Sequence, residues 1–491
     1  MRRSSVQSEV GRTRHPAIVV AVLAAAGISV SLMQTLVIPL IPELPTLLNT
    51  SASNASWVIT ATLLTAAVAT PMFGRLGDMY GPKPILIICA VLLTAGSLIA
   101  ATTTTLLPVI VGRGLQGFGM PIIPLGISVM RASVPAHRVG TAMGLMSASL
   151  GVGGALGLPL SAIIADRFDW HALFWFGAAL GVVAAVSFAA LVPHLPSVSA
   201  DRFDALGAIG LAGGLVTLLL GISKGGSWGW TSAVTVTMFA ASLVIFTLFA
   251  LWQFRTTAPI VDLRTTLKRP VLTTNLASIA VGFSLFAMSL IAPQILELPA
   301  GLDYGLGQSM LQTGLWMAPG GLAMMLSSPV AARIAGVHGP RFTLFVGSTV
   351  VAVGYLSGLL LMNSAWQLCV FNVMVSVGVG FAFSSLPALI NAAVPVSETA
   401  AANGINALAR SLGTSISSAV IGAVLTVMTT TVAGQQVPSL AGLRVALVIA
   451  AGAAVVAALT ALAIPKAIVN KAGVEQESEP DLALTTDRSG P

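Results

Sequence analysis

Apolar residues dominate the chain in long runs that short polar segments separate. A helix needs about 20 apolar residues to cross the hydrocarbon core of a bilayer. Runs of that kind fall at residues 17–39, 55–73, 85–104, 106–130, 139–164, 171–192, 205–222, 232–252, 271–294, 309–329, 342–362, 366–388, 399–429 and 441–465. This pattern predicts an all-α integral membrane protein with fourteen transmembrane helices.

The placement of charge predicts the orientation of these helices. Only 8% of the 491 residues are charged and 56% are hydrophobic, so a soluble chain of this length could not cover its surface with polar groups. With the N-terminus inside, the outer segments hold only Arg167, Lys224 and Arg444, and most other basic residues face the cytoplasm. This bias follows the positive-inside rule. We therefore expect a multi-pass protein of the cell membrane with both termini cytoplasmic.

The two terminal segments are polar. Residues 1–15 are basic, and the apolar run that follows is too long for a signal peptide and lacks its cleavage site. Residues 466–491 are polar and acidic and are expected to be a disordered cytoplasmic tail. No basic cluster with interleaved aromatic residues accompanies the net charge of +7, so nucleic acid is not an expected partner.

Motifs in the early part of the chain return in the later part. Gly81-Pro82-Lys83 after the second run matches Gly339-Pro340-Arg341 after the tenth, and Gly117-Phe-Gly119 matches Gly378-Val-Gly380. Parallel six-helix repeats are a transporter plan, in which a solute site lies between the halves near the midplane. The predicted parts are a six-helix bundle over 16–193, two inserted transmembrane helices with flanking loops over 194–265, and a second six-helix bundle over 266–465.

The segment after the second run carries the sharpest local motif, Gly74-Arg-Leu-Gly-Asp-Met-Tyr-Gly-Pro-Lys83. Its glycines permit tight turns and close helix approach. A carboxylate at Asp78 can cap a helix N-terminus or pair with a base across an inner gate, while an ordinary charged loop is the alternative. The predicted gating residues are Gly74, Arg75, Gly77, Asp78, Gly81 and Lys83.

This segment resembles the signature loop of the major facilitator superfamily. Arg113-Gly-Leu-Gln-Gly-Phe-Gly119 resembles the second motif of that family. Gly151-Val-Gly-Gly-Ala-Leu-Gly-Leu-Pro159 resembles the Gly/Pro motif of its exporters, with Gly153, Gly157 and Pro159 as the matching positions. Over residues 15–465 the chain is similar to the fourteen-span drug:proton antiporter group. The resemblance implies two six-helix repeats of the major facilitator type plus two inserted helices, and export of hydrophobic compounds driven by a proton gradient.

Proton coupling needs a group that binds a proton, and the predicted spans offer few. The resemblance implies that Arg113 is a buried base that helps coupling, whereas an Arg that snorkels to the interface is the alternative. Met33 stands where such exporters carry an acid, and all 16 acidic residues lie in loops, tails or at span ends. The remaining carriers are Asp78 or Glu43 at the rims, or water near Arg113. Otherwise coupling is absent or uses another ion.

The missing acid also bears on the substrate. A cavity without a carboxylate does not offset the desolvation of a cation, which favours neutral, anionic or amphiphilic solutes. Met and aromatic side chains suit varied apolar solutes, and helix–helix packing is the alternative for each. The candidate lining residues are Met33, Gln34, Trp57, Gln116, Asn275, Phe283, Phe286, Gln312, Trp316, Met317, Asn406 and Arg410.

These features predict a secondary transporter that exports hydrophobic or amphiphilic small molecules by alternating access. The expected partners are the lipid bilayer, the solute and protons, and we expect a monomer. A transporter of a native lipid or metabolite without proton antiport is the second interpretation, and a polytopic enzyme or channel is the third. No metal site or cofactor is expected, and Cys89 and Cys369 are predicted to be buried thiols.

Overall fold

A computed structural model describes residues 16–37, 40, 44–55, 57–197, 203–302, 304–395, 398–432 and 435–465. The predicted cytoplasmic segment 1–15, the tail 466–491 and the rim acid Glu43 lie outside these residues. Within them the chain is almost entirely helical.

Helices α1–α9 form the first part of the chain, and we refer to them as the N-half. They are α1 (Pro16–Thr35), α2 (Leu44–Leu47), α3 (Ala52–Ala55), α4 (Trp57–Tyr80), α5 (Pro82–Ala101), α6 (Leu106–Gly117), α7 (Ile122–Ser133), α8 (Ala136–Arg167) and α9 (His171–Leu191). Two long helices and a short one follow as an insert, α10 (Ala205–Trp228), α11 (Ala233–Arg255) and α12 (Leu263–Thr266).

The last part of the chain, the C-half, holds six long helices and a hairpin. They are α13 (Arg269–Glu297), α14 (Met310–His338), α15 (Pro340–Gly358), α16 (Ala365–Ala393), α17 (Thr399–Val427), β1 (Thr429–Val432), β2 (Gln435–Pro438) and α18 (Leu440–Ala463). Among the described residues, 13 helical stretches are long and apolar enough to cross a membrane, with α6 and α7 counted as one stretch. The 32-residue α8 is the remaining long helix. The all-α membrane fold predicted from the sequence is confirmed.

The fourth predicted run, 106–130, is not one straight helix. Helix α6 ends at Gly117 and α7 begins at Ile122. Between them the backbone N–H groups of Phe118, Gly119 and Met120 donate to carbonyls three residues earlier, which is a tighter winding than an α-helix. Pro121 has no N–H to continue the α-helical ladder. The matching helix of the C-half, α16, runs unbroken.

The β1–β2 hairpin between α17 and α18 was not predicted. Thr429 pairs with Pro438 and Val432 pairs with Gln435 in an antiparallel register. Its first strand is a run of β-branched residues, which favour extended backbone. The hydroxyl of Tyr304 donates to the carbonyl of Pro438 at 2.9 Å and ties the hairpin to the segment between α13 and α14. The predicted thirteenth run, 399–429, therefore ends two residues early, at Val427.

Buried apolar side chains form one large cluster in each half. A smaller cluster joins Leu211, Leu215 and Phe249 of the insert to Ala67 of α4 and Leu408 of α17. The insert therefore packs across the line where the two halves meet.

A second line of contact between the halves runs along α8 and α14. A methyl group in place of the Gly314 hydrogen would lie 2.8 Å from the Pro159 nitrogen, so the helices touch there with no space for a side chain. Nearer the start of α8, the helix also meets α16, because a methyl group on Gly144 would lie 2.7 Å from the hydroxyl of Ser384. Small residues allow this close approach, as is usual for helices packed in a bilayer.

Helix α8 also packs on α1, and Gly153 is the point of closest approach. A methyl group on Gly153 would lie 2.6 Å from the carbonyl of Ile28 and 2.8 Å from the nitrogen of Leu32, whereas one on the adjacent Gly154 would meet nothing within 4 Å. We expect Gly153→Ala to push the two helices apart and to cost about 1 to 3 kcal/mol, as overpacking does. The measurement is the thermal unfolding midpoint of the purified protein in detergent.

Gly154→Ala is the matched control because it adds the same methyl group one residue away. We expect it to leave the midpoint unchanged or raise it slightly through helix propensity. Equal midpoints for the two variants would contradict the packing described for Gly153.

Candidate functional site

The motif at 74–83 is mostly helical, not the loop that the sequence predicted. Residues 74–80 form the last turns of α4, and only Gly81 separates α4 from α5. Gly81 has φ +84°, a region that other residues avoid, and Gly339 has φ +85° at the matching place before α15. The two halves thus turn at their repeated Gly-Pro by the same geometry. Lys83 is half-buried in the first turn of α5.

Asp78 joins the N-half to the C-half. Its side chain is 1% exposed, and its carboxylate accepts hydrogen bonds from the backbone N–H groups of Ala400 at 3.3 Å and Ala401 at 2.9 Å. These N–H groups lie in the first turn of α17, where an anion is favoured by the free donors and the helix dipole. The carboxylate therefore caps a helix of the opposite half.

Two glycines of the motif permit this contact. A methyl group on Gly74 would lie 2.9 Å from the carbonyl of Ala400, so α4 and α17 touch through their backbones. A methyl group on Gly77 would collide with Leu125 of α7. Larger residues at either position would move Asp78 away from the end of α17.

A second link between the halves involves Arg131 of α7, which the sequence did not single out. Its guanidinium donates to the hydroxyl of Thr399 at 2.5 Å and to the carbonyl of Asn391 at 3.1 Å. Asn403 donates to the side-chain oxygen of Asn391 at 2.6 Å and fixes that part of the C-half. In the sequence Arg131 was one of many basic residues at an inner span end, and only the fold brings it to α16 and α17.

A cavity of about 180 Å³ lies beside these links, and Arg75, Asp262 and Glu398 are among its lining residues. Glu398 is half-buried. Burial raises the pKa of Glu398 above its ordinary value, and the charge of Asp262 raises it further, while Lys268 and Arg75 act in the opposite direction. The carboxyl group of Glu398 therefore holds a proton more tightly here than it would in water.

Arg113 does not snorkel to an interface, because its side chain is 2% exposed inside the N-half. Its guanidinium donates to the carbonyls of Val58 at 3.2 Å and Met33 at 3.0 Å and to the side-chain oxygen of Gln116 at 2.7 Å. Gln116 in turn donates to Ser97 at 2.8 Å. Neutral oxygens from α1, α4 and α6 thus hold the charge.

The space beside Arg113 leaves no room for water. Met33, Gln116, Leu173 and Phe174 are among the side chains that close around it. A proton-carrying water next to Arg113 stays a prediction, and it would require these side chains to move apart. Met33 and Gln116 belong to this packed interior of the N-half and do not line a space between the halves.

Three further cavity candidates have structural roles instead. Gln312 is exposed and forms a capping box with Ser309 at the start of α14. Trp57 lies under the amine of Lys224, 4.6 Å from the ring centre, and so faces the insert. Trp316 donates to Gln308 at 3.2 Å, close to the same end of α14. Period and composition alone could not tell these positions from cavity positions.

The remaining candidates lie within or along the C-half, apart from Gln34. Phe283 and Met317 are buried in its apolar cluster, Phe286 is half-buried, and Gln34 of α1 is half-buried in the N-half. A separate pair is brought together, because Asn406 donates to Asn275 at 2.9 Å and to Ser278 at 2.7 Å. Arg410 lies one turn further along α17, over the ring of Phe383.

The Gly/Pro stretch of α8 serves both of its packed faces. Gly153 and Gly157 face α1, where the hydroxyl of Thr35 donates to the carbonyl of Gly153 at 3.2 Å. Pro159 faces Gly314 of α14 in the other half. The motif thus packs α8 against α1 on one face and against α14 of the other half on the opposite face.

Comparison with known proteins gives the same fold. The sequence model described as Major Facilitator Superfamily matches residues 23–418. The uncharacterized MFS-type transporter YvkA of Bacillus subtilis (strain 168) is 27% identical over 83% of this chain and 90% of its own length. Lincomycin resistance protein LmrB of Listeria monocytogenes is 25% identical over 78% of this chain and 80% of its own. Multidrug resistance protein 3 of Bacillus subtilis is 24% identical over 77% and 73%.

Two solved structures share the fold at low sequence identity. The human organic anion transporter MFSD10 superimposes with a TM-score of 0.65 at 14% identity, over 91% of this chain and 99% of its own. The proton:xylose symporter XylE superimposes with a TM-score of 0.65 at 14% identity, over 92% and 96%.

The cap that Asp78 provides generates a first prediction for this site. Asp78→Ala removes a helix cap worth about 1 kcal/mol, so the ratio of joined to separated inner ends falls roughly fivefold. Spin labels at Tyr80→Cys and His338→Cys, both exposed in the parent, report the distance between the halves by electron resonance. Asp204→Ala is the control, because Asp204 caps α10 through Gly207 at 2.8 Å within the insert. A distance distribution unchanged by Asp78→Ala would contradict the cap as a link.

Glu398 generates a second prediction, on pH. Its pKa is raised in the joined conformation, so that conformation is favoured where Glu398 is protonated and loses this advantage as the pH rises through the raised pKa. The test uses Asp78→Asn, which keeps a capping side chain that does not titrate. With the same spin labels, the fraction of molecules that show the short distance between the halves should rise as the pH falls from about 8 to 5.

Glu398→Gln in that background should remove most of this pH dependence. Asp169→Asn is the control, since Asp169 is an exposed acid beside His171, on a loop distant from this cavity. A slope that survives Glu398→Gln would show that another group senses pH.

Proposed function

The chain belongs to the major facilitator superfamily, and on that premise we propose that it exports hydrophobic or amphiphilic small molecules by alternating access. It is a multi-pass membrane transporter and not an enzyme. We further propose that transport is directed outward and is coupled to protons. We also propose that the protein is a monomer in the cell membrane, with both termini on the cytoplasmic side.

The contact of Asp78 with the first turn of α17 carries the proposal. It joins the two halves through a helix end, and Arg131 joins them again nearby. A transporter that alternates access needs such contacts on one side to be broken and remade. We propose that the segment Gly74–Lys83, with Gly74, Arg75, Gly77, Asp78, Gly81 and Lys83, is this inner gate.

The relatives support export of drug-like solutes. One is named for resistance to lincomycin and another for multidrug resistance, and each aligns over about three quarters of this chain. The Gly/Pro stretch of α8, with Gly153, Gly157 and Pro159, resembles the motif of exporters in this superfamily and supports the same class.

Proton coupling requires a group whose affinity for protons differs between the two conformations. Glu398 meets this requirement in the joined conformation, where burial and Asp262 raise its pKa. Asp78 is the second acid at the same end of the bundle and is part of the link itself. We propose that these inner acids, with Arg113 as the charge that orders α1, α4 and α6, couple proton movement to opening.

A transporter of a native lipid or metabolite without proton antiport is the second candidate. The observation that favours it is Met33 beside Arg113, at the place where an acid would serve a proton antiporter. The two candidates share the fold and the inner gate and differ in the energy source, so a transport measurement decides between them.

Reconstituted vesicles test the proposal. A fluorescent hydrophobic probe should accumulate when a pH gradient is imposed and should stop accumulating when a protonophore is added. Arg113→Ala should abolish the gradient-driven part, because the carbonyls of Met33 and Val58 lose their shared donor and α1 and α4 lose their alignment. Arg255→Ala, at an exposed position on α11, should transport normally.

Arg113→Lys keeps the charge and separates a folding defect from a transport defect. Each variant is also measured by size-exclusion profile and thermal unfolding. If the probe accumulates equally with and without the pH gradient and the protonophore, the antiport proposal is contradicted and the second candidate is favoured. Normal transport by a well-folded Arg113→Ala would remove Arg113 from the coupling machinery.

A further inference from the structure

Arg410 is the second basic side chain inside a predicted span. It lies about 17 Å along α17 from Thr399, at 1.5 Å per residue. The hydrocarbon core is about 30 Å thick, so the backbone of Arg410 is near mid-depth. A charge at that depth is expensive unless it faces a partner or a wet interior.

The two intramembrane arginines have different surroundings. Arg113 is enclosed and has three oxygen acceptors around it. Arg410 is half-buried, and its guanidinium carbon lies 4.8 Å from the centre of the Phe383 ring. Among the described residues no oxygen accepts a hydrogen bond from Arg410 and no carboxylate lies against it. A guanidinium has five N–H donors, and those of Arg410 have no acceptor among the described residues.

The base of this side chain is held rigidly. A methyl group on Gly282 of α13 would collide with the carbonyl of Arg410, so α13 lies directly against α17 at this point. Phe383 of α16 is fully buried and forms a fixed floor beneath the guanidinium. One turn earlier, Asn406 is bonded to Asn275 and Ser278. The packing of α13 and α16 against this part of α17 therefore fixes the position of the unpaired N–H groups of Arg410.

The helix that carries Arg410 lies where the two halves meet. Helix α17 contacts α4 and α7 of the N-half as well as α13 and α16 of its own half. Within the described residues every acidic side chain lies at a helix end or in a loop, so none competes for the guanidinium near mid-depth. The interior at this depth is thus positive, with apolar walls.

We propose that Arg410 and Phe383 bind the anionic headgroup of an amphiphilic substrate, such as a carboxylate, sulfate or phosphate ester with a long apolar body. The inference rests on the proposed function and names its substrate class. A planar guanidinium binds such oxyanions through two parallel N–H bonds. The stacked ring keeps the guanidinium plane oriented while the apolar body of the solute packs on the surrounding helices.

Direct binding tests the proposal without requiring transport. The probe is a dansyl-labelled long-chain fatty acid, compared with its neutral methyl ester and with a cationic amine of the same length. Binding to the full chain in phosphatidylcholine nanodiscs is measured by dansyl fluorescence, with empty nanodiscs subtracted. We expect the parent protein to bind the acid roughly tenfold more tightly than the ester, the effect of about 1.4 kcal/mol, and the amine most weakly.

Arg410→Gln should bind the acid and the ester equally, and Arg410→Lys should keep part of the preference because it retains the charge but not the planar fork. Arg255→Gln, which removes an exposed Arg of α11, should bind like the parent. Thermal unfolding of each variant confirms that it is folded. A parent protein without preference for the acid, or an Arg410→Gln variant that keeps the preference, would overturn the proposal.

The failure of this inference differs from that of the proposed function. If the parent protein shows no preference for the acid but Arg410→Gln still transports neutral probes along the gradient, the anion site is contradicted and the exporter proposal is supported. If acid binding depends on Arg410 but no gradient-driven transport is found, the anion site is supported and proton antiport is contradicted.

Discussion

Asp78 places a carboxylate against the free N–H groups at the start of α17, and this contact joins the ends of α4 and α17. A carboxylate at a helix N-terminus satisfies orphan donors and opposes the helix dipole, so the contact stabilises the arrangement in which the two halves meet. It also requires α4 and α17 to touch, which explains why Gly74 meets the carbonyl of Ala400. Because the two partners belong to different halves, this cap links the halves directly.

The same rule, that a buried charge must find partners inside the protein, separates Arg113 from Arg410. Arg113 has backbone and side-chain oxygens from its own half and acts as a pin for three helices. Arg410 lies over the ring of Phe383 and has no acceptor among the described residues. The two repeats therefore share a fold and differ in the surroundings of their intramembrane arginines, and the proposed roles in coupling and recognition rest on this difference.

The inserted helices strengthen the junction and do not form a separate unit. Leu211, Leu215 and Phe249 pack against α4 and α17, the two helices that the Asp78 cap joins. The link that follows α11 brings Asp262 to the cavity that holds Glu398. The insert therefore contacts both helices of the proposed gate, and the charge of Asp262 acts on Glu398 beside it.

Much of the fold followed from the sequence because a bilayer leaves few choices. Backbone groups must bond internally in lipid, so each apolar run of sufficient length becomes helical. In the described residues thirteen of the fourteen runs coincide with single long helices, and the fourth is divided between α6 and α7. The Gly-Pro turns of the repeat were also visible, since positive φ at Gly81 and Gly339 demands glycine. The break at Pro121 and the hairpin after α17 were missed, although Pro121 and the run of β-branched residues are visible in the sequence. The links made by Arg131 could not be predicted, because they depend on which helices lie side by side. For the same reason Gln312 and Trp57 looked like cavity residues and proved to cap α14 and to face the insert. Hydrophobic run length alone determined that the chain crosses the membrane many times, whereas packing between distant helices decided which charges are paired, because a side chain acquires its partners only when the fold brings remote segments together.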